Sequence, residues 1–175
     1  MLDTLVSSKT KIKLLLKFFL NSNNTAYLRN LETEFGESTN AIRIELNKFE
    51  ESGLLNSYSE SNKKIFKANT KHPLYPEINS IVRKYIGIDK IIDSIVSRIG
   101  EPDHVWLVGN LARGLNSDTI ELKISGKVDK DYLEELVQKV EQTITKKLKI
   151  ELLSEVEALI INNKLEPSLL LWSKA

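Results

Sequence analysis

Apolar residues near the start of the chain recur at helical spacing in two successive segments. Ser7 and Ser8 are placed to cap a first helix, which the polar segment 21–24 interrupts, and Thr25 is placed to cap a second helix that Gly36 ends. The apolar faces of these two helices comprise Ile12, Leu15, Leu16 and Phe19 in the first, and Leu28, Leu31 and Phe35 in the second. The pattern predicts two short helices, each with one buried side.

A third helix and a hairpin complete this region. The helix is predicted over 38–52, with Gly53 as its stop. Its inward stripe comprises Ile42, Leu46 and Phe49. Two short apolar runs, 54–58 and 65–68, then flank the polar tip 59–64, which is the pattern of a β-hairpin.

Segment 73–99 has the periodicity of one long helix. Isoleucine, valine and tyrosine repeat every three or four residues from Ile78 to Ile99, and Gly87 is the residue in the run that disfavours helix. An apolar stripe of this length needs a cover. We expect a linking helix that packs on the C-terminal domain or on a second copy of the chain.

The last segment, 100–175, changes to a mixed pattern. Short strands are predicted over 105–108, 120–124 and 149–153, and a helix capped by Asp129 separates the second from the third. A capping box at Ser154 and Glu157 precedes a further helix, and Leu169–Trp172 is either a strand or a helix. The segment therefore reads as a small domain built on a mixed sheet.

Composition excludes several classes of protein. The chain has 175 residues, 41% hydrophobic and 28% charged, as expected of a folded chain with one domain or two small ones. It has no Cys and two His, which excludes disulfides and thiolate chemistry, and we expect no metal site and no cofactor. No apolar run is long enough to span a bilayer, so we expect a cytoplasmic protein without a membrane association.

The order helix, helix, turn, helix, hairpin is that of a winged helix-turn-helix, whose third helix enters the DNA major groove. The outward side of the predicted helix 38–52 carries Thr39, Asn40, Arg43 and Asn47. Arg pairs well with guanine and Asn with adenine. Ser38 and Thr39 lie at the helix start, where free backbone N–H groups favour a phosphate.

The predicted wing, 57–67, adds groups suited to the DNA backbone. These are Asn62, Lys63, Lys64 and Lys67, which would position the protein without reading sequence. The plainer alternative is an ordinary solvated helix face and an ordinary turn. Glu45, Glu50 and Glu51 on the same helix favour that alternative, because carboxylates repel phosphate.

Residues 34–55, from Glu34 to the closing Gly53-Leu54-Leu55, resemble winged-helix transcriptional regulators of the arsenic-repressor-like group. The resemblance covers roughly residues 8–70. It implies a winged-helix fold and double-stranded DNA as the partner. The metal-sensing members of that group use Cys and His ligands, and since this chain has no Cys their metal response is not carried over.

Residues 105–114 and 117–122 resemble the start of a nucleotidyltransferase-like domain, in which a strand, a glycine turn and an acidic second strand hold a nucleotide and Mg²⁺. The positions of this possible vestigial nucleotide site are Gly109, Asn110, Arg113, Gly114, Asp118, Glu121 and Glu151. The sequence departs from the family pattern at Asn110, where the family has Ser, and at Thr119, which takes the first acid position. The resemblance therefore implies a catalytically inactive relative. A tight turn explains Gly109 and Gly114 equally well.

Together these features predict an α+β chain with a winged-helix domain (1–72), a linking or dimerisation helix (73–99) and a nucleotidyltransferase-like domain (100–175). The leading hypothesis is a homodimeric DNA-binding transcriptional regulator that is not an enzyme. One alternative is a Mg²⁺-dependent nucleotidyltransferase that modifies a protein or a small molecule. Another is a regulator that senses a nucleotide without chemistry.

Overall fold

The computed structural model describes residues 2–162 and 167–174, so the predicted domain limits at Met1 and Ala175 lie outside the described residues. The chain is α+β and divides into two compact units. The first unit is Met1–Tyr85 with Gly114–Asn116, and the second is Ile86–Arg113 with Ser117–Ala175. Each unit has its own β-sheet.

The first unit is built from helices followed by a three-stranded antiparallel sheet in the order β1-β3-β2. Its elements are α1 (Leu2–Leu5), α2 (Lys9–Leu15) continued by a π-helical turn (Leu16–Leu20), β1 (Thr25–Ala26), α3 (Leu28–Phe35), α4 (Thr39–Glu51), β2 (Leu55–Glu60), β3 (Lys63–Ala68) and α5 (Tyr75–Ile86). The predicted helix–helix–helix–hairpin order is confirmed, with the short helix α1 and the short strand β1 added.

Side-chain and glycine caps fix the helix ends in this unit. The hydroxyls of Ser8 and Ser38 accept hydrogen bonds from Lys11 N and Ala41 N, and Gly36 ends α3 in the left-handed conformation. The prediction that Thr25 caps α3 is wrong. Thr25 lies in β1 opposite Lys67, because a β-branched residue favours the extended strand conformation.

The hairpin is tighter than its sequence suggests. The predicted tip 59–64 shrinks to Ser61 and Asn62, because β2 and β3 extend the pairing as far as Glu60 and Lys63. Both turn residues have positive φ, 47° and 61°, which is the twist of a two-residue type I′ connection. The two strands therefore stay paired up to the tip.

The predicted continuous helix over 73–99 is wrong. Gly87 has a φ of +90° and separates α5 from α6 (Ile88–Arg98). A residue in this left-handed region cannot continue a right-handed helix, and the unit boundary also falls here. The apolar stripe is divided with it: α6 buries Ile88, Ile91, Ile92 and Ile95, whereas on α5 Ile81 stays 47% exposed.

The second unit is a four-stranded mixed sheet in the order β6-β5-β4-β7, where β5 and β6 are parallel and the other pairs antiparallel. Its remaining elements are β4 (Gly100–Val108), α7 (Gly109–Ala112), β5 (Thr119–Val128), α8 (Lys130–Glu141), β6 (Lys147–Leu153), α9 (Glu155–Asn162) and β7 (Leu169–Ser173). The segment Leu169–Trp172, which the sequence pattern left as either a strand or a helix, is part of strand β7. The predicted caps at Asp129 and Ser154 are confirmed.

Alternating side chains place a core on both faces of this sheet. Val105, Leu107 and Ile124 are fully buried on one face. Trp106 and Val108 point to the opposite face, where they pack with Ala158 of α9. Over the described residues, no helix combines the length and the apolar character that crossing a bilayer requires.

Candidate nucleic-acid interface and glycine turn

Helix α4 has one buried and one exposed side, as the sequence predicts. Ile42 and Leu46 are almost inaccessible, while Asn40, Arg43 and Asn47 are all exposed. These three residues are three and four positions apart, so they share a face. Of the two residues at the helix start, Ser38 is exposed and caps the helix, and Thr39 is half-buried.

Two of the three glutamates that weaken a phosphate-binding interpretation are neutralised by neighbours. Glu45 is mostly buried and faces the Lys11 ammonium at 3.8 Å and the Lys48 ammonium at 3.7 Å. Glu50 accepts hydrogen bonds from Lys64 and Ser57, which hold the pKa of its carboxyl below the ordinary value of 4.5. The charges of Glu45 and Glu50 are therefore compensated within the first unit, whereas Glu51 is exposed at the end of α4.

A groove of about 650 Å³ lies between the start of α3, the exposed side of α4 and the hairpin. Its lining residues are Tyr27, Leu28, Arg29, Arg43, Leu46, Asn47, Ser61, Asn62, Lys63, Lys64 and Phe66. Four of them are cationic and none is acidic. A concave surface with this charge favours an anionic chain such as a nucleic-acid backbone.

Sequence reasoning missed Tyr27 and Arg29 as members of this groove. Both lie at the start of α3, which the sequence marks only as a short amphipathic helix. Their approach to the hairpin depends on the pairing of β1 with β3, a tertiary contact between residues some 40 positions apart. The sequence offers one sign of this role, a cationic residue, Arg29, on the polar side of α3.

The lysines of the hairpin have different surroundings. The Lys63 ammonium lies 4.4 Å from the centre of the Tyr27 ring, and the Lys67 ammonium lies 5.7 Å from the Tyr58 ring. Such contacts leave the cation its charge. The Lys64 ammonium instead pairs with the Glu50 carboxylate at 2.6 Å.

The space beside the predicted glycine turn of the second unit is filled by a side chain of the chain itself, that of Glu121. Gly109 has a φ of +69° and begins α7, and a methyl group added there would collide with the Glu121 carboxylate. Glu121 pairs with Val108 across the strands, which brings its side chain over the turn. A carboxylate in that place opposes phosphate binding. Asn110, within this short helix, and Arg113, directly after it, are exposed.

Gly114 has a packing role within the first unit. Its φ is +73°, and an added Cβ would lie 2.9 Å from the Leu16 carbonyl oxygen and 2.7 Å from that of Lys17. Only glycine permits this approach to the π-helical turn. Close packing therefore explains Gly114 without a nucleotide.

The three candidate acids of the second unit have separate surroundings. Asp118 is exposed immediately before β5, where its carbonyl accepts a hydrogen bond from Lys147 N. Glu151 pairs with Lys123, its register neighbour on β5, at 3.6 Å. Among the residues that the structure describes, no three His, Asp or Glu side chains are grouped to hold a metal ion.

Comparisons with known proteins add a distant likeness. The chain is similar to a chain in a crystal structure of a mutant form of the toxin–antitoxin MntA–HpeT, with 18% sequence identity and a TM-score of 0.41. The similarity covers 50% of this chain and 73% of that chain. No protein-family profile and no curated protein matches the sequence. The function is therefore inferred from the geometry of the two sites themselves.

Proposed function

We propose that the first unit is a winged helix that binds double-stranded DNA, and that the protein regulates transcription. The observation that carries this proposal is the exposed Asn40–Arg43–Asn47 face beside a groove lined by four cations, of which Lys64 is paired with Glu50, and by no acid. The element order and the sheet order β1-β3-β2, with the hairpin next to α4, support it further.

In this proposal α4 lies in the major groove. Arg43 reads guanine through two hydrogen bonds, and Asn40 and Asn47 are suited to adenine. Ile44, which is 46% exposed on the same helix, offers an apolar contact for a thymine methyl group. Ser38, Thr39, Asn62, Lys63 and Lys67 lie at positions suited to the sugar–phosphate backbone.

We further propose that two copies associate through α5. Leu74, immediately before α5, and Ile78, Ile81 and Tyr85 within it are spaced four, three and four residues apart, which is the spacing of a coiled-coil seam; Ile78 and Tyr85 are half-buried. Leu74 is 56% exposed and Ile81 is 47% exposed. A dimer would offer two recognition helices to two half-sites about one DNA turn apart.

For the second unit we propose a nucleotidyltransferase-like domain without catalytic activity, requiring no metal. The strand–turn–strand–helix–strand order over 100–153 supports the fold. The Glu121 carboxylate over Gly109 and the pairing of Glu151 with Lys123 support the loss of activity. Two carboxylates engaged in this way are poorly placed to share a Mg²⁺ ion.

Equilibrium binding to a selected DNA site tests the leading proposal. We expect Arg43→Ala to lower the preference for the selected site over a mismatched site by about 1–3 kcal/mol, because a base contact is lost. Lys63→Ala, the matched control, should weaken binding to both DNAs equally and flatten the salt dependence. Equal weakening on both DNAs by Arg43→Ala would contradict base reading by this residue.

A nucleotidyltransferase remains the second candidate, because the exposed Arg113 and the half-buried Glu121 border a glycine turn at the end of a strand. Incubation with labelled ATP and Mg²⁺ should then label a protein or small molecule. If the turn is catalytic, Glu121→Ala should incorporate less label than wild type. Equal incorporation by the two proteins would exclude this candidate. Nucleotide-dependent stabilisation in a thermal-shift assay would instead favour the nucleotide-sensing alternative.

A further inference from the structure

We infer that Glu50 and Lys64 form a clamp that fixes the hairpin against the recognition helix, so that the adjacent lysines Lys63 and Lys64 have different roles. Lys63 is a phosphate ligand. Lys64 and Glu50 are positioning residues that act through the placement of the hairpin. This inference rests on the proposed DNA-binding function for its consequences, whereas the clamp itself is a property of the free protein.

The contacts of Glu50 define the clamp. Glu50 lies in the last turn of α4, and its two carboxylate oxygens reach two different strands: one accepts from the Ser57 hydroxyl of β2 and the other from the Lys64 ammonium of β3, at 2.6 Å. One side chain thereby joins the recognition helix to both strands of the hairpin. The Lys64 side chain also lies over the buried Phe66 ring, 5.1 Å from its centre.

Alternation along β3 explains why neighbouring lysines differ. Successive strand residues point to opposite faces, so Lys64 faces α4 together with Phe66, and Lys63 faces away. The Lys63 ammonium rests on the Tyr27 ring, with no carboxylate among the residues lining the groove it borders. Glu60 is the register partner of Lys63 across the hairpin, but the Lys63 ammonium lies over the Tyr27 ring, where a phosphate entering the groove can reach it. The Lys64 charge is already matched by Glu50.

The position of the hairpin determines whether helix and wing can contact DNA at once. Base-reading groups lie on α4, and the backbone-contacting groups Asn62 and Lys63 lie at the hairpin turn. If the hairpin moves relative to α4, its backbone-contacting groups no longer hold one fixed position relative to the base-reading groups. Ordering it before binding lowers the entropic cost of the complex.

Salt-dependent DNA binding separates the two roles. Because each phosphate neutralised contributes about 0.9 to the slope of log affinity against log salt, Lys63→Met should lower the slope by about that amount. Lys64→Met should leave the slope unchanged and weaken binding by at most about fivefold, as expected for the loss of a partly exposed ion pair. Glu50→Gln breaks the same pair but leaves the Lys64 charge unmatched, so it should not lower the slope. The charge-swapped pair Glu50→Lys with Lys64→Glu should recover the lost affinity.

Amide hydrogen exchange of the free protein tests the clamp without DNA. Lys64→Met and Glu50→Gln should accelerate exchange in Lys63–Ala68 alike, and Lys63→Met should not. Equal slope losses for Lys63→Met and Lys64→Met, or unchanged exchange in both clamp variants, would overturn the inference. If wild-type protein binds no DNA while the exchange pattern is as expected, the clamp stands and the proposed function fails.

Discussion

At the scale of single residues, the chemistry of a position depends on what its neighbours do with its charge. Glu45 and Glu50 are acids on the helix proposed to enter DNA, yet lysines of the same unit compensate both. Glu121 is the opposite case, since its carboxylate lies where the resemblance implies a phosphate. Charge arithmetic along the sequence misses these pairings, because the partners lie on other elements.

Gly109 offers a prediction at this scale. Its positive φ and the collision with Glu121 mean that Gly109→Ala should lower the free energy of unfolding by about 1–3 kcal/mol, measured by urea denaturation. Glu121→Ala in the same chain removes the collision and leaves only the backbone strain. The double variant should therefore be less destabilised than the sum of the single changes. If the two single changes in the free energy of unfolding simply add, Glu121 is not in steric contact with residue 109.

At the scale of elements, the sequence predicts what local patterns determine. The caps at Ser8 and Asp129 are confirmed, and so is the buried stripe of α4, because cap and periodicity are properties of a few adjacent residues. The prediction of one continuous helix over 73–99 is wrong at Gly87, because the left-handed backbone conformation of this residue ends the helix despite the regular apolar pattern. Periodicity alone does not report a residue with positive φ.

Long-range pairing is the second source of error at this scale. The predicted cap at Thr25 is a strand residue because β1 pairs with β3, and Tyr27 and Arg29 join the groove for the same reason. The candidate acids of the second unit likewise separate once register places Lys123 opposite Glu151. A sequence gives residue types and spacing, whereas these contacts depend on which strands are neighbours.

At the scale of the whole molecule, the proposed regulator depends on a second copy of the chain. A single winged helix contacts a few base pairs, and symmetric pairing doubles that contact at a fixed spacing. The proposed seam depends on the exposed Leu74 and Ile81, since Val82 and Ile86 of α5 are already buried within the chain.

Sedimentation of variants tests this assembly. Wild type should sediment as a dimer, and Leu74→Ser with Ile81→Ser should give a folded monomer, because both side chains are exposed within one chain. Leu159→Ser, an equally apolar change at a residue 64% exposed on α9, is the control and should leave the dimer intact. A monomeric wild type, or a dimer that only the α9 change disrupts, would contradict the proposed seam.

The central claim is that the Asn40–Arg43–Asn47 face of α4 lies in a DNA major groove, and methylation of guanine N7 by dimethyl sulfate reports on that groove directly. Wild type bound to a selected site should protect a guanine in each half-site, since Arg43 would occupy its N7. At saturating protein, Arg43→Ala should restore methylation of that guanine alone. Full methylation of every guanine beneath bound wild type, or unchanged protection in Arg43→Ala, would contradict the claim.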